Sequence, residues 1–210
     1  MDLSFLVKGL LVGFSIAAPV GPIGVLCIRR TLAEGRAYGL VSGLGAATAD
    51  ATYGLVAGLG LTFISTFLVD QGLWLRLIGG LFLLYLGVRT FLSEPAMPAA
   101  SEGKRDRNLL GAYASTLGLT LTNPTTILSF AIVFAGLGLA TGSGDYANAT
   151  LLVLGVFVGS ALWWLLLSGG VSLLRSRFTY KGLWWVNRIS GILILGFGVA
   201  ALMTVLIHSA

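Results

Sequence analysis

The 210-residue sequence predicts an all-α integral membrane protein. Six transmembrane helices form two inverted three-helix repeats, with helices one and four broken. Composition, six long apolar stretches and a match between the two halves carry that prediction. The chain is 56% hydrophobic and only 10% charged, with a mean hydropathy of +0.94. A soluble domain carries about a quarter charged residues, so lipid must cover the apolar surface left over here. The net charge of +5 does not point to nucleic acid, because the charges fall in short clusters between apolar runs.

About 20 apolar residues cross a bilayer, and six such stretches occur, near 5–28, 38–67, 73–92, 109–139, 151–174 and 184–207. They are continuous and do not alternate, which argues against the strands of a lipid-facing barrel. The second and fourth exceed the minimum length and call for tilt, a break or an interfacial end. The first mimics a secretion signal with Ser15-Ile16-Ala17, but its basic leader is Lys8 alone and apolar residues continue to Ile28; it is expected to remain.

Basic residues set the orientation. Arg29, Arg30 and Arg36 lie between spans one and two; Arg89, Lys104, Arg105 and Arg107 between three and four; Arg175, Arg177 and Lys181 between five and six. Lys8 and Arg76 fall on the other side, and Arg188 is ambiguous. The excess of positive charge marks the cytoplasmic side, so both termini are expected outside the cytoplasm. These clusters read as topology signals rather than lipid-headgroup sites. Residues 93–108, rich in Pro, Ala and charge, form a cytoplasmic linker between repeats at 1–92 and 109–210.

The halves align in pieces. The segment from Gly13 to Pro19 lies over Gly118 to Pro124, a shift of 105. Trp74, Gly80, Gly87 and Val88 lie over Trp185, Gly191, Gly198 and Val199, a shift of 111. Ser42, Ala46 and Asp50 pair more weakly with Gly155, Gly159 and Trp163. Three spans is an odd number, so a second copy enters the membrane upside down. Inverted repeats with helices broken at equivalent places hold transporter sites near the midplane.

Three sequence features suit such a site. Pro19-Val20-Gly21-Pro22 interrupts span one, because proline removes a donor and excludes helical geometry before it. The N-terminus of the continuing half-helix favours an anion such as a carboxylate. Asn123-Pro124-Thr125-Thr126 interrupts span four. Either break alone reads equally well as a packing kink; their common register favours function. Asp50 is the acid well inside a span. Burying its charge costs about 2.5–3.5 kcal/mol on insertion scales, which suits a proton acceptor or cation ligand. The bland alternative is a protonated Asp50 satisfied by Thr48, Thr52 or Tyr53. Tyr53 is a candidate for lining the same site. Trp163 is a candidate for stacking on substrate, although it and Trp164 suit packing better. Trp74, Trp184 and Trp185 read as interfacial anchors, Asn187 and Arg188 as interfacial, and Cys27 as a small core residue.

Pro19-Val20-Gly21-Pro22, Asp50 and Asn123-Pro124 together resemble the LysE/RhtB amino-acid exporter family, and the likeness covers the whole chain. The resemblance implies a bacterial inner-membrane exporter of amino acids or related small metabolites, driven by protons. Many members carry Lys after Asn-Pro where this chain has Thr125. That departure removes a carboxylate partner and leaves the usual substrates of the family in question.

The expected partners are therefore a small-molecule substrate, an amino acid first among them, protons and membrane lipid, with no nucleic acid. The small-residue stripes suit a homodimer interface as readily as packing within one chain. A divalent-cation exporter is the alternative within transport, though hard cations usually want more than one carboxylate. An intramembrane enzyme is disfavoured: an aspartyl protease needs two carboxylates and a metalloprotease a motif such as HExxH. No cofactor or metal site is called for.

Overall fold

The computed structural model describes residues 2–19, 21–58, 71–94, 108–137, 146–175 and 179–209. Within them the chain is helical throughout: α1 (Ser4–Ala17), α2 (Pro22–Glu34), α3 (Arg36–Gly58), α4 (Gly72–Leu92), α5 (Leu109–Leu121), α6 (Pro124–Leu137), α7 (Tyr146–Arg175) and α8 (Tyr180–Ser209). The linker at 95–107 and the end of the second expected span, at 59–67, lie outside the described residues.

Helices α4, α7 and α8 are each long and apolar enough to cross a bilayer, and the bent pairs α1–α2 and α5–α6 raise the number of candidate spans to five. The remaining helix, α3, has 23 residues. Its Gly, Ala, Thr and Asp50 keep it less apolar than α4, α7 and α8. Large apolar side chains such as Ile78, Leu81, Ile132 and Leu154 point outward, as a lipid-covered surface requires.

Both expected breaks are present. The axes of α1 and α2 differ by 80°, and those of α5 and α6 by 61°. Gly21 is extended (φ −102°, ψ −162°) ahead of Pro22, the first residue of α2, where a missing N–H costs nothing. Gly35 then turns α2 into α3 with φ 111°, a conformation glycine adopts without strain. Helix α2 extends well past the expected end at Ile28, so Arg29 and Arg30 stand on a helix rather than in a loop. The fifth span likewise starts at Tyr146, ahead of the expected 151.

Helix α1 packs along α7, α5 along α3, α3 crosses α7, and α4 lies against α8. Glycines set how close they come. A Cβ on Gly9 or Gly13 would run into the backbone of Leu152 or Val156; one on Gly155 or Gly159 would run into Leu6 or Leu10. In the α4–α8 pair the contacts recur in exchanged order. A Cβ at Gly87 would sit 2.9 Å from the Leu195 nitrogen, and one at Gly198 3.0 Å from the Leu84 nitrogen. One at Gly80 would meet Leu202, and one at Gly191 would meet Phe91. Each contact maps onto its fellow by the 111-residue shift of the sequence match.

Substitution Gly13→Ala should therefore cost about 1–3 kcal/mol through overpacking, seen as a lower thermal midpoint in detergent. Gly170→Ala, with open space around it, should be neutral or slightly stabilising.

Candidate functional site

A cavity of about 540 Å³ opens where the two helix breaks approach each other. Pro19, Gly21 and Pro22 line it from the first break; Asn123 and Thr125 line it from the second; Asp50 contributes from α3. Six of the expected site residues thus meet at one place. The volume falls in the range of small-molecule pockets.

Asp50 is buried, only 3% exposed. Its partner is Ser160 on α7, whose hydroxyl donates to Oδ2 at 2.6 Å. Trp164 donates its indole N–H to the same serine oxygen at 3.2 Å, and Trp164 also lines the cavity. A relay Trp164–Ser160–Asp50 therefore fixes one carboxylate oxygen. Among the described residues Oδ1 takes no hydrogen bond. The expected local partners act elsewhere: Thr48 and Thr52 donate to the backbone carbonyls of Leu44 and Thr48.

Tyr53 does not line the cavity. Its hydroxyl donates to the Leu121 carbonyl at 2.6 Å, which satisfies a last-turn acceptor of α5 that the break would otherwise leave open. Trp163 is displaced from the site as well, because one residue along a helix turns its ring away; it meets Phe14 edge-to-face at 5.4 Å. Trp164 takes the place expected of it. Asn123 Oδ1 accepts from the Thr125 N–H at 3.1 Å and caps α6. The first turn of α2 has no side-chain cap, and its residues Ile23 and Gly24 line the cavity.

Two further polar groups stand out. Arg30, expected in a cytoplasmic loop, is buried. It donates to Ser42 Oγ at 2.7 Å, the Ala112 carbonyl and Thr116 Oγ1 at 2.9 Å, and Ser115 Oγ at 2.8 Å. That cluster ties α2 to α3 and α5. Asn187, expected at the interface, is 1% exposed; it donates to the Ser93 carbonyl and accepts from Arg29 Nε, both at 3.0 Å. Arg29 also pairs with Glu34. Arg188 donates to the Phe91 carbonyl and lies over the Phe91 and Trp184 rings. Arg76, counted on the outer side of the third span, stands on α4 and lines the cavity. The signal in the sequence was its place inside an apolar run.

A family model described as LysE type translocator matches residues 14–204. A Bacillus subtilis (strain 168) protein named "Putative amino acid efflux protein YcgF" is 30% identical over 200 residues, covering 93% of this chain and 92% of that one. No solved structure gives a significant match.

Asn123→Ala should lower stability by about 1 kcal/mol through loss of the α6 cap. Asn123→Ser or Asn123→Asp should restore most of it, read as thermal midpoints side by side. Equal midpoints for all four proteins would mean the cap bond contributes nothing.

Proposed function

The chain belongs to the LysE type translocator family, and from that premise we propose that it exports amino acids or related small metabolites across the bacterial inner membrane by proton antiport. Substrate is held between the two helix breaks and Asp50. The observation that carries this reading is an intramembrane carboxylate on the wall of a cavity that both breaks reach. Membrane-embedded acids usually face such interiors and carry protons or substrate charge. The amino-acid assignment draws on the efflux name of the Bacillus subtilis relative.

In this mechanism Asp50 releases its proton to receive the substrate ammonium and takes a proton from outside once the substrate has left. Ser160 keeps Oδ2 in place through both states, leaving Oδ1 for exchange. The uncapped first turn of α2 offers backbone N–H groups to an anionic portion of the substrate. Residues 1–92 and 109–210 act as two inverted repeats; the exchanged contacts in the α4–α8 pair support that arrangement. With both termini outside the cytoplasm, the cavity occupies the outer half of the membrane. The Arg30 and Arg29–Asn187 clusters then close the cytoplasmic half, an outward-facing state.

Flux in proteoliposomes tests the mechanism. A pH gradient should drive labelled amino acid through the wild type. Asp50→Asn should retain its fold but lose gradient-driven flux, and full coupled transport in that variant would remove Asp50 from the mechanism. A Cys27→Ser background permits a test of orientation. Thr126→Cys should react with an impermeant maleimide from the outer side, while the buried Thr116→Cys should not; labelling of Thr126→Cys from the cytoplasmic side alone would reverse the topology.

A further inference from the structure

Of the described residues that line the cavity, two have ionisable acid or base side chains: Asp50 from α3 and Arg76 from α4. Arg76 is half-buried in the second turn of α4, and among the described residues it has no carboxylate within ion-pair distance and no hydrogen bond. An arginine inside an apolar helix is costly unless something answers its charge. The other arginines of the inner helix turns are answered by protein: Arg30 by three hydroxyls and a carbonyl, Arg29 by Glu34, Ser93 and Asn187. Arg76 differs in facing the cavity.

We infer that Arg76 binds the α-carboxylate of the substrate while Asp50 receives its α-ammonium, so that the site selects α-amino acids whose side chains carry no charge. This rests on the exporter reading above and specifies its substrate class. Three features support it. A guanidinium presents two parallel N–H donors that match a carboxylate, whereas Asp50 is an acceptor when ionised. One acid and one base balance a zwitterion of zero net charge; a lysine substrate would bring a second cation with no acid left to meet it. The rest of the wall is largely apolar, with Leu83, Leu119, Leu128, Trp164 and Phe197 around the space, suited to an aliphatic side chain. Arg76 also offers what the Thr125 departure withholds, since no cation follows Asn123-Pro124 in this chain.

Uptake into proteoliposomes of labelled leucine, of isopentylamine (leucine without its carboxylate) and of lysine provides the test, on wild type, Arg76→Gln and Arg76→Lys. Wild type should prefer leucine to both other compounds by at least roughly tenfold. In Arg76→Gln leucine transport should fall roughly 10- to 150-fold, the range of one charged hydrogen bond. Isopentylamine transport should hold or rise, so the preference for a carboxylate disappears. Arg76→Lys should fall between, keeping charge but losing the paired donors. All three proteins are compared by elution profile and thermal midpoint; should the glutamine variant fail to fold, the lysine variant's leucine-to-amine ratio decides. A wild-type leucine-to-amine ratio in either folded variant overturns the role of Arg76 and leaves the exporter intact. Preference of the wild type for lysine overturns the substrate class alone. No gradient-driven flux of any amino acid through folded wild type overturns the exporter reading, and this inference with it.

Discussion

Lipid supplies no hydrogen bonds, and two interruptions of helix inside a membrane protein have to be satisfied by other parts of the same chain. At the first break the Gly21 N–H donates to the Pro19 carbonyl, and the Gly21 carbonyl accepts from Val25. At the second the solution reaches across the fold: Tyr53 on α3 donates to the Leu121 carbonyl, and Asn123 takes the Thr125 N–H. The breaks therefore depend on α3 being close by. Their remaining backbone groups lie beside the cavity, the environment in which irregular backbone is tolerated at this depth.

Close approach has a compositional cost that falls on α3. Gly39 sits against Thr31 of α2, Gly43 against the Trp164 side chain of α7, and Gly45 against Tyr113 of α5. Ala46, Ala47 and Ala49 are fully or almost fully buried. These small residues exchange apolar bulk for contact, which works in a membrane because helix association there rests on packing rather than on hydrophobic burial. They leave α3 less apolar than α4, α7 and α8. Asp50 is tolerable there because Ser160 comes within reach from α7. The same crowding accounts for the Trp164–Ser160–Asp50 relay.

Sequence alone revealed the breaks, Asp50 and the small-residue face of α3, because each departs from what lipid permits: proline within a span, a charge within a span, glycine at helical spacing. The positions read less well were those whose chemistry is ambiguous until helices are placed. Arg30 and Asn187 fall near predicted span ends, where polarity usually means water, yet tertiary contacts bury both. Trp163 and Trp164 differ by one residue, about 100° around a helix, and no periodicity argument selects between them while the boundary of α7 is uncertain. Tyr53 has the right spacing for the Asp50 face, but its hydroxyl serves a carbonyl instead. The sequence match between the halves is clearest at the third spans, where the matched glycines are also where α4 and α8 touch; in the middle spans different residues do the contacting, and the match fades.

Arg30 and Arg76 separate two uses of the same costly residue. Each places a guanidinium among apolar helices; charge counting put Arg30 between spans and Arg76 on the outer side of the third. Around Arg30 the chain supplies Ser42, Ser115, Thr116 and the Ala112 carbonyl, acceptors from two other helices with no cavity among them. Such a residue acts as a fastener: its donors are used in the folded state, and ligand has nothing to add. Arg76 lines the cavity, and among the described residues it takes no hydrogen bond or ion pair. A protein that can satisfy one buried arginine with four acceptors does not lack the means to satisfy another. Leaving the second exposed to a cavity that a carboxylate also lines is how a site stores the capacity to bind, because the free energy withheld from folding remains available to a partner of matching charge.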